Sequence, residues 1–81
     1  MYTKRFETRV KLNTMERVKQ FVDLTSKMDC EVSLLDSEHV IDAKSIMGIF
    51  SLNLTNPLKF IIEDVYKVSQ DSMSELSNFM I

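Results

Sequence analysis

The spacing of the apolar residues changes along this chain of 81 residues, and these changes constrain the fold more than any other feature. Residues 2–12 alternate between apolar and polar side chains, which is typical of a strand with one buried face. The apolar side of that strand is formed by Tyr2, Phe6, Val10 and Leu12. Apolar residues then recur every three or four positions, and this spacing predicts a helix over residues 14–28. The apolar stripe of the helix consists of Met15, Val18, Phe21, Val22 and Met28.

Alternation returns after this helix. It predicts a β-hairpin over residues 30–43, with a polar turn at residues 36–39. A short helix over about residues 45–52 follows the hairpin. Apolar residues then alternate again from Leu58, which predicts a fourth strand that begins directly after Pro57.

A last helix completes the predicted order β-α-β-β-α-β-α. Its apolar residues are Met73, Leu76, Phe79 and Met80, and either Ser69 or Ser72 can cap its N-terminus. Strands with one apolar face need a cover, and amphipathic helices can supply it. The predicted fold class is therefore α+β, with a four-stranded antiparallel sheet covered on one face by three helices. Residues 1–81 are expected to form a single domain.

The charge, cysteine and glycine content exclude several classes of protein. A net charge of −2 and no basic run longer than Lys4-Arg5 argue against a nucleic-acid or anionic-membrane surface. The only cysteine, Cys30, permits no internal disulfide and favours the cytoplasm. No apolar run approaches the roughly 18 residues of a membrane span, and the N-terminus lacks an apolar signal segment. A single glycine forbids a phosphate-binding loop, and the carboxylates lack metal-ligand spacing. We therefore expect no cofactor, no metal and no catalytic activity.

The short helix over residues 45–52 contains more apolar residues than one small core can use. Ile49 and Leu52 are three positions apart and are predicted to point inward. The other apolar residues of the helix are Ile46, Met47 and Phe50. They would form an exposed patch of the kind that usually meets a partner. The alternative is that Ile46 or Phe50 packs under a neighbouring loop.

Ser45 stands where the N-cap of the short helix is expected. Its hydroxyl can accept a hydrogen bond from the backbone N–H of Met47 or Gly48. The same amides favour an added phosphate. Gly48 costs the helix about 1 kcal/mol relative to alanine, and close approach of another backbone would be one reason to keep it.

The segment KSIMGIFSL at residues 44–52 resembles the KSIMGVMSL segment of HPr proteins, the small phosphocarriers of the bacterial sugar phosphotransferase system. The segments SKMDCEV at residues 26–32 and QFV at residues 20–22 resemble the end and the middle of the first HPr helix. The resemblance extends over essentially the whole chain, with one residue deleted near the first loop. It implies the HPr fold, and it implies that Ser45 corresponds to the serine that a dedicated HPr kinase phosphorylates.

The chain departs from this family where HPr proteins carry their phosphoryl group, on a histidine at the start of the first helix. One alignment places Thr14 at the histidine position and Glu16 at the position of the family's arginine. A shift by one residue places Met15 and Arg17 there instead. Neither register supplies a histidine, and the only one in the chain, His39, lies in the predicted turn. Because the carrier reaction needs a neutral imidazole nucleophile, the chain is not expected to accept a phosphoryl group from Enzyme I.

The resemblance implies a regulatory relative of HPr, of the carbon catabolite regulation type, that is controlled by phosphorylation of Ser45. Its partners would be an HPr kinase-like enzyme, a transcriptional regulator or a component of the phosphotransferase system. The docking residues would be Lys44, Ile46, Met47, Gly48, Phe50 and Arg17. Two alternatives stay open. The chain could be a phosphocarrier with an atypical acceptor, or a constitutive protein-binding module that has kept only the fold.

Overall fold

The computed structural model describes residues 2–81 of the chain. The elements are β1 (Phe6–Val10), α1 (Met15–Thr25), β2 (Val32–Leu35), β3 (Val40–Asp42), α2 (Ile46–Phe50), β4 (Leu58–Ile62), a 3-10 helix (Val65–Lys67) and α3 (Gln70–Leu76). This is the predicted order with one added short helix between β4 and α3.

The strands form one four-stranded sheet in the order β1-β4-β2-β3, and all neighbouring strands are antiparallel. β4 lies inside the sheet, with Ile62 opposite Phe6 of β1 on one side and Val32 of β2 on the other. The predicted α+β fold class is therefore confirmed.

The core lies between the helices and one face of the sheet. Phe21 of α1 is fully buried at its centre. The ring of Phe21 packs edge-to-face against Phe60 of β4 at a centroid distance of 5.0 Å and against Phe79 at 5.3 Å. Ile49 of α2 and Leu76 of α3 belong to the same buried cluster. All three α-helices thus contribute to the cover of one sheet face, as the alternation of the strands predicts.

Two predicted core positions are wrong. Tyr2 is 90% exposed because β1 begins only at Phe6, so the first residues of the alternating stretch lie outside the sheet. Met15 is 63% exposed because it is the first residue of α1 and precedes the first buried turn at Val18. Helical spacing alone does not tell where along a stripe the core begins.

The start of the last helix agrees with one of the two predicted N-caps, and its C-terminal end differs from the prediction. The N-cap is Ser69 rather than Ser72, because the Ser69 hydroxyl accepts a hydrogen bond of 3.1 Å from the Ser72 backbone N–H. α3 ends at Leu76, and the chain then runs beside β1. The backbone N–H of Lys11 donates to the Phe79 carbonyl at 2.8 Å, and that of Ile81 donates to the Arg9 carbonyl at 3.2 Å. None of the helices within residues 2–81 is long and apolar enough to cross a membrane.

Candidate functional site

Thr14 is the N-cap of α1, and it lies where the sequence differs from the HPr segment that it otherwise resembles. Its Oγ1 accepts a hydrogen bond of 3.1 Å from the Arg17 backbone N–H, and the residue is exposed. Within residues 2–81, the hydroxyl donates to no carboxylate or imidazole that could serve as a general base. Met15, the other residue proposed for this position, follows as an exposed thioether side chain. Neither group is an activated nucleophile.

Arg17 uses its guanidinium group to join two parts of the backbone. Its Nε donates to the Lys11 carbonyl at 2.9 Å, and its Nη2 donates to the Asn78 carbonyl at 3.2 Å. The guanidinium carbon also lies 5.0 Å from the ring centroid of Phe79, within the range of a cation–π contact. Arg17 therefore links the chain after β1 to the chain after α3. No sequence signal indicated this role, because both acceptors are main-chain carbonyls.

Ser45 lies directly before α2 and has the N-cap geometry that the sequence predicts. Its Oγ accepts a hydrogen bond of 3.1 Å from the Gly48 backbone N–H. The residue is half-buried, so it is not walled off from solvent. A hydroxyl in this position satisfies one of the free amides at the helix start.

Gly48 faces side chains, and the expected close approach of another backbone is wrong. A Cβ at this position would lie 3.2 Å from Ser45 Oγ and 3.5 Å from the Cβ of Ile41. The first distance is tighter than an ordinary van der Waals contact. Glycine therefore leaves room for the hydroxyl that caps its own helix.

The apolar residues of α2 and its exit divide between the core and the surface. Ile49 and Leu52 are buried, as predicted. Met47 is 78% exposed and Phe50 is 42% exposed, which agrees with the predicted patch. Ile46 is instead half-buried and packs against the core, so its predicted place in the exposed patch is wrong. The exposed apolar group beside Ser45 thus consists of Met47 and Phe50.

Lys44 points its ammonium group at the exit of α1. Its Nζ donates to the Met28 carbonyl at 2.6 Å, and the side chain is half-buried. The backbone N–H of Lys44 donates to Asp42 Oδ1 at 2.9 Å. The ammonium is held within the fold by this contact, which a matching sequence motif does not reveal.

His39 lies on the turn between β2 and β3, beside Asp36. Its Nδ1 is 3.4 Å from Asp36 Oδ1, and its side chain is largely exposed. Backbone N–H groups, first that of Glu38 and then those of His39 and Asn53, donate to the Asp36 carboxylate and lower its pKa to about 2. The structure places the only histidine in the chain on this turn and not at the start of α1.

Comparison with known families identifies the family to which the chain belongs. A family model described as PTS-HPr, the "PTS HPr component phosphorylation site", matches residues 4–80. The chain belongs to the HPr family. A search of curated proteins finds no match.

Solved HPr structures have the same fold. The crystal structure of HPr-C-His from Thermoanaerobacter tengcongensis matches with a TM-score of 0.69 and 26% identity over 93% of this chain and 88% of that chain. The crystal structure of a phosphocarrier protein HPr from Bacillus anthracis str. Ames also has a TM-score of 0.69, at 16% identity and with full coverage of both chains. The second similarity supports the fold alone.

Membership of the HPr family confirms the prediction of an HPr-like, non-catalytic protein of the phosphotransferase system. HPr proteins are phosphocarriers of the phosphotransferase system and not catalysts, and they interact with other protein components of that system. This HPr chain has no histidine at the start of α1.

Proposed function

We propose that this HPr-family protein is a docking domain of the cytoplasm that is regulated by phosphorylation of Ser45 and does not carry phosphoryl groups from Enzyme I. One observation supports this proposal above all. Ser45 is accessible at the start of α2, and the exposed residues Met47 and Phe50 lie within the same helix. A change of charge at Ser45 would therefore occur beside the apolar surface that a partner would cover.

The start of α1 argues against a carrier role. Transfer from Enzyme I requires a nucleophile that is neutral near pH 7 and accessible, which in this family is an imidazole. Thr14 has no adjacent base, and the carboxylate of Glu16 in the first turn would repel a phosphate. The Arg17 donors Nε and Nη2 are bound to the Lys11 and Asn78 carbonyls. An incoming phosphoryl group would meet no prepared nucleophile here.

Phosphorylation of Ser45 is chemically reasonable at this position. The Oγ–P bond would form as the bond between the β- and γ-phosphates of ATP breaks, with ADP as leaving group and loss of the hydroxyl proton. The product would carry about −1.5 to −2 charge units near pH 7. The backbone N–H of Gly48, which now donates to Oγ, lies within the reach of such a group. The added charge would favour partners with basic residues and disfavour partners that rely on Met47 and Phe50 alone.

The proposed partners are an HPr kinase-like enzyme and either a transcriptional regulator or a component of the phosphotransferase system. The proposed docking residues are Met47 and Phe50, with Ile46 and Gly48 as a partly covered base. Lys44 is included among the docking residues because it precedes Ser45 in the chain. Arg17 is included because it lies in the first turn of α1. Both side chains already bind main-chain carbonyls, so a partner would contact them only in part.

The test is incubation of the purified protein with HPr kinase and ATP, followed by mass spectrometry. We expect one phosphoryl group on Ser45 of the wild type and none on a Ser45→Ala variant. An unmodified Ser45 under conditions that phosphorylate a histidine-bearing HPr would refute the switch.

Binding of the two forms separates a switch from a constitutive module. A switch requires that phosphorylated wild type and Ser45→Ala differ in affinity for a regulator. Equal affinity of the unmodified, phosphorylated and Ser45→Ala forms would support the constitutive module instead. Its supporting observation is the exposure of Met47, which does not depend on phosphate.

Incubation with Enzyme I and phosphoenolpyruvate tests the carrier alternative. We expect no acid-labile phosphate on this chain, while a histidine-bearing HPr in the same reaction becomes labelled. A phosphoramidate on His39 would establish the atypical acceptor.

A further inference from the structure

The loop between β3 and α2 is joined to the end of α1 by a buried side chain. Thr25, the last residue of α1, is fully buried. Its Oγ1 donates to the Ala43 carbonyl at 2.9 Å and lies 3.2 Å from the Val22 carbonyl of its own helix. The hydroxyl has one proton, and the shorter contact is the one that leaves the helix. The 25–43 bond therefore connects two elements that are distant in sequence.

A second hydrogen bond joins the same two segments in the opposite direction. Lys44, the neighbour of Ala43, donates from Nζ to the Met28 carbonyl at 2.6 Å. Each segment thus offers one side-chain donor and one backbone acceptor to the other. We call this pair of hydrogen bonds, Thr25–Ala43 and Lys44–Met28, the clasp. Both bonds are at least partly buried, where exchange for water is costly.

The clasp ends one residue before Ser45. α2 is a helix of five residues, which is far too short to be stable without tertiary contacts. Ile49 fixes one side of this helix in the core. The clasp fixes the chain that enters it, at residues 43–44, together with the Ala43 backbone N–H, which donates to the Val32 carbonyl at 2.9 Å. These two attachments lie on either side of Ser45 and join the start of α2 to the rest of the fold.

We infer that Thr25 is a positioning residue for α2, which holds the loop that leads to Ser45 through its hydrogen bond to the Ala43 carbonyl. Thr25 reaches neither the phosphorylation site nor the exposed residues of α2 directly. The Thr25 hydroxyl instead keeps the loop before α2 ordered. When the hydroxyl is removed, the Ala43 carbonyl loses its buried donor, and α2 opens more often without unfolding of the sheet.

Amide hydrogen exchange of the full chain tests this inference. The reporter is the Ile49 N–H, which donates to the Ser45 carbonyl at 3.0 Å, and the reference is the Phe60 N–H in β4. Thr25→Val keeps the side-chain shape and removes the donor. We expect it to accelerate exchange at Ile49 relative to Phe60 by about tenfold, the size expected for one buried hydrogen bond.

Two matched variants make the result specific. Thr25→Ser retains the hydroxyl and is expected to restore most of the protection at Ile49. Ser26→Ala removes the neighbouring hydroxyl, which bonds only within α1 to the Val22 carbonyl at 2.7 Å, and is expected to leave the Ile49/Phe60 ratio unchanged. An unchanged ratio in Thr25→Val, or the same change in Ser26→Ala, would overturn the inference. If Thr25→Val does not fold, Thr25→Ala removes the same donor, and an unchanged Ile49/Phe60 ratio in that variant would equally overturn the inference.

The link from Thr25 to modification rests on the proposed function. With HPr kinase, we expect the KM for Thr25→Val to equal the wild-type KM divided by the fraction of molecules in which α2 is ordered, so the KM rises measurably only if that fraction falls well below one. If the kinase does not modify the wild type, the proposed function fails, but the exchange experiment still tests the positioning role of Thr25.

Discussion

At the scale of single residues, the structure assigns main-chain partners to side chains that the sequence presents as recognition residues. Arg17 and Lys44 both direct their charged groups to backbone carbonyls. Gly48 has no side chain because the hydroxyl of Ser45 lies next to the place where its Cβ would be. In each case the position within a motif was visible in the sequence, and the contact was not.

Arg17 is expected to contribute to stability. Arg17→Met keeps the aliphatic stem and removes the donors to the Lys11 and Asn78 carbonyls, which should lower the free energy of unfolding by about 1–2 kcal/mol. Urea denaturation measures the change. Lys19→Met, at an exposed position of the same helix, should change it by less than about 0.5 kcal/mol. Equal stability of the two variants would contradict the role given to Arg17.

The contact between Gly48 and Ser45 predicts non-additive effects of substitution. Gly48→Ala should gain up to about 1 kcal/mol of helix propensity. In the wild type it should also displace the Ser45 hydroxyl, and loss of that N-cap costs about 1 kcal/mol. We therefore expect little net change from Gly48→Ala alone and a clear stabilisation when it is made in a Ser45→Ala background. Denaturation of the four proteins of this cycle measures the coupling, and simple additivity would exclude the proposed crowding.

At the scale of elements, periodicity located all four strands and all three α-helices. It did so because each element has one face in the core and one in water. The ends were less predictable. β1 begins later than the alternation does, and α3 ends before the apolar spacing stops. Phe79 is buried because the chain after α3 runs beside β1. Its spacing from Leu76 resembles that of a helix, although residue 79 lies outside α3.

The turn between β2 and β3 should respond to acid. The Asp36 carboxylate accepts from the backbone N–H groups of Glu38, His39 and Asn53, so its pKa in the folded state is about 2, below its ordinary value of 3.8. A lowered pKa stabilises the folded state fully above about pH 4, and this stabilisation is lost as the pH falls towards 2.

Urea denaturation at several pH values tests this prediction. Asp36→Asn should be less stable than the wild type above pH 4, and its free energy of unfolding should fall less steeply between pH 4 and 2. Ser37→Ala, a non-titrating change in the same turn, should keep the slope of the wild type. Parallel pH profiles for Asp36→Asn and wild type would show that Asp36 makes no such contribution.

At the scale of the whole molecule, the fold class and the family were predictable from the sequence, and the accessible surface was predictable only in part. The strand order β1-β4-β2-β3 was not predicted, because alternation says nothing about which strands are neighbours in a sheet. Met47 and Phe50 were correctly placed at the surface. Ile46 was not, because a helix of five residues lies close enough to β3 and the core to cover more than one of its sides.

The exposed residues of α2 should matter for docking and not for stability. Met47→Glu places a charge on a side chain that is 78% exposed, and Tyr66→Glu does the same at 67% exposure on the 3-10 helix. Both should change the free energy of unfolding by less than about 0.5 kcal/mol. Only Met47→Glu should raise the KM of HPr kinase for the protein, by about tenfold or more. Equal KM values for the two variants would remove α2 from the docking surface.

The pairing of residues 79–81 with β1 has a consequence for how copies of this protein coexist at high concentration. The carbonyl of Arg9 and the N–H of Lys11 are already occupied by the chain's own Ile81 and Phe79. At the opposite edge of the sheet, β3 has only three residues with which a strand of another molecule could pair. Open margins are the usual starting points of strand-by-strand aggregation. Removal of Met80 and Ile81, which are exposed, would free the Arg9 carbonyl while Phe79 stays in the core, and it should shorten the time before the protein precipitates.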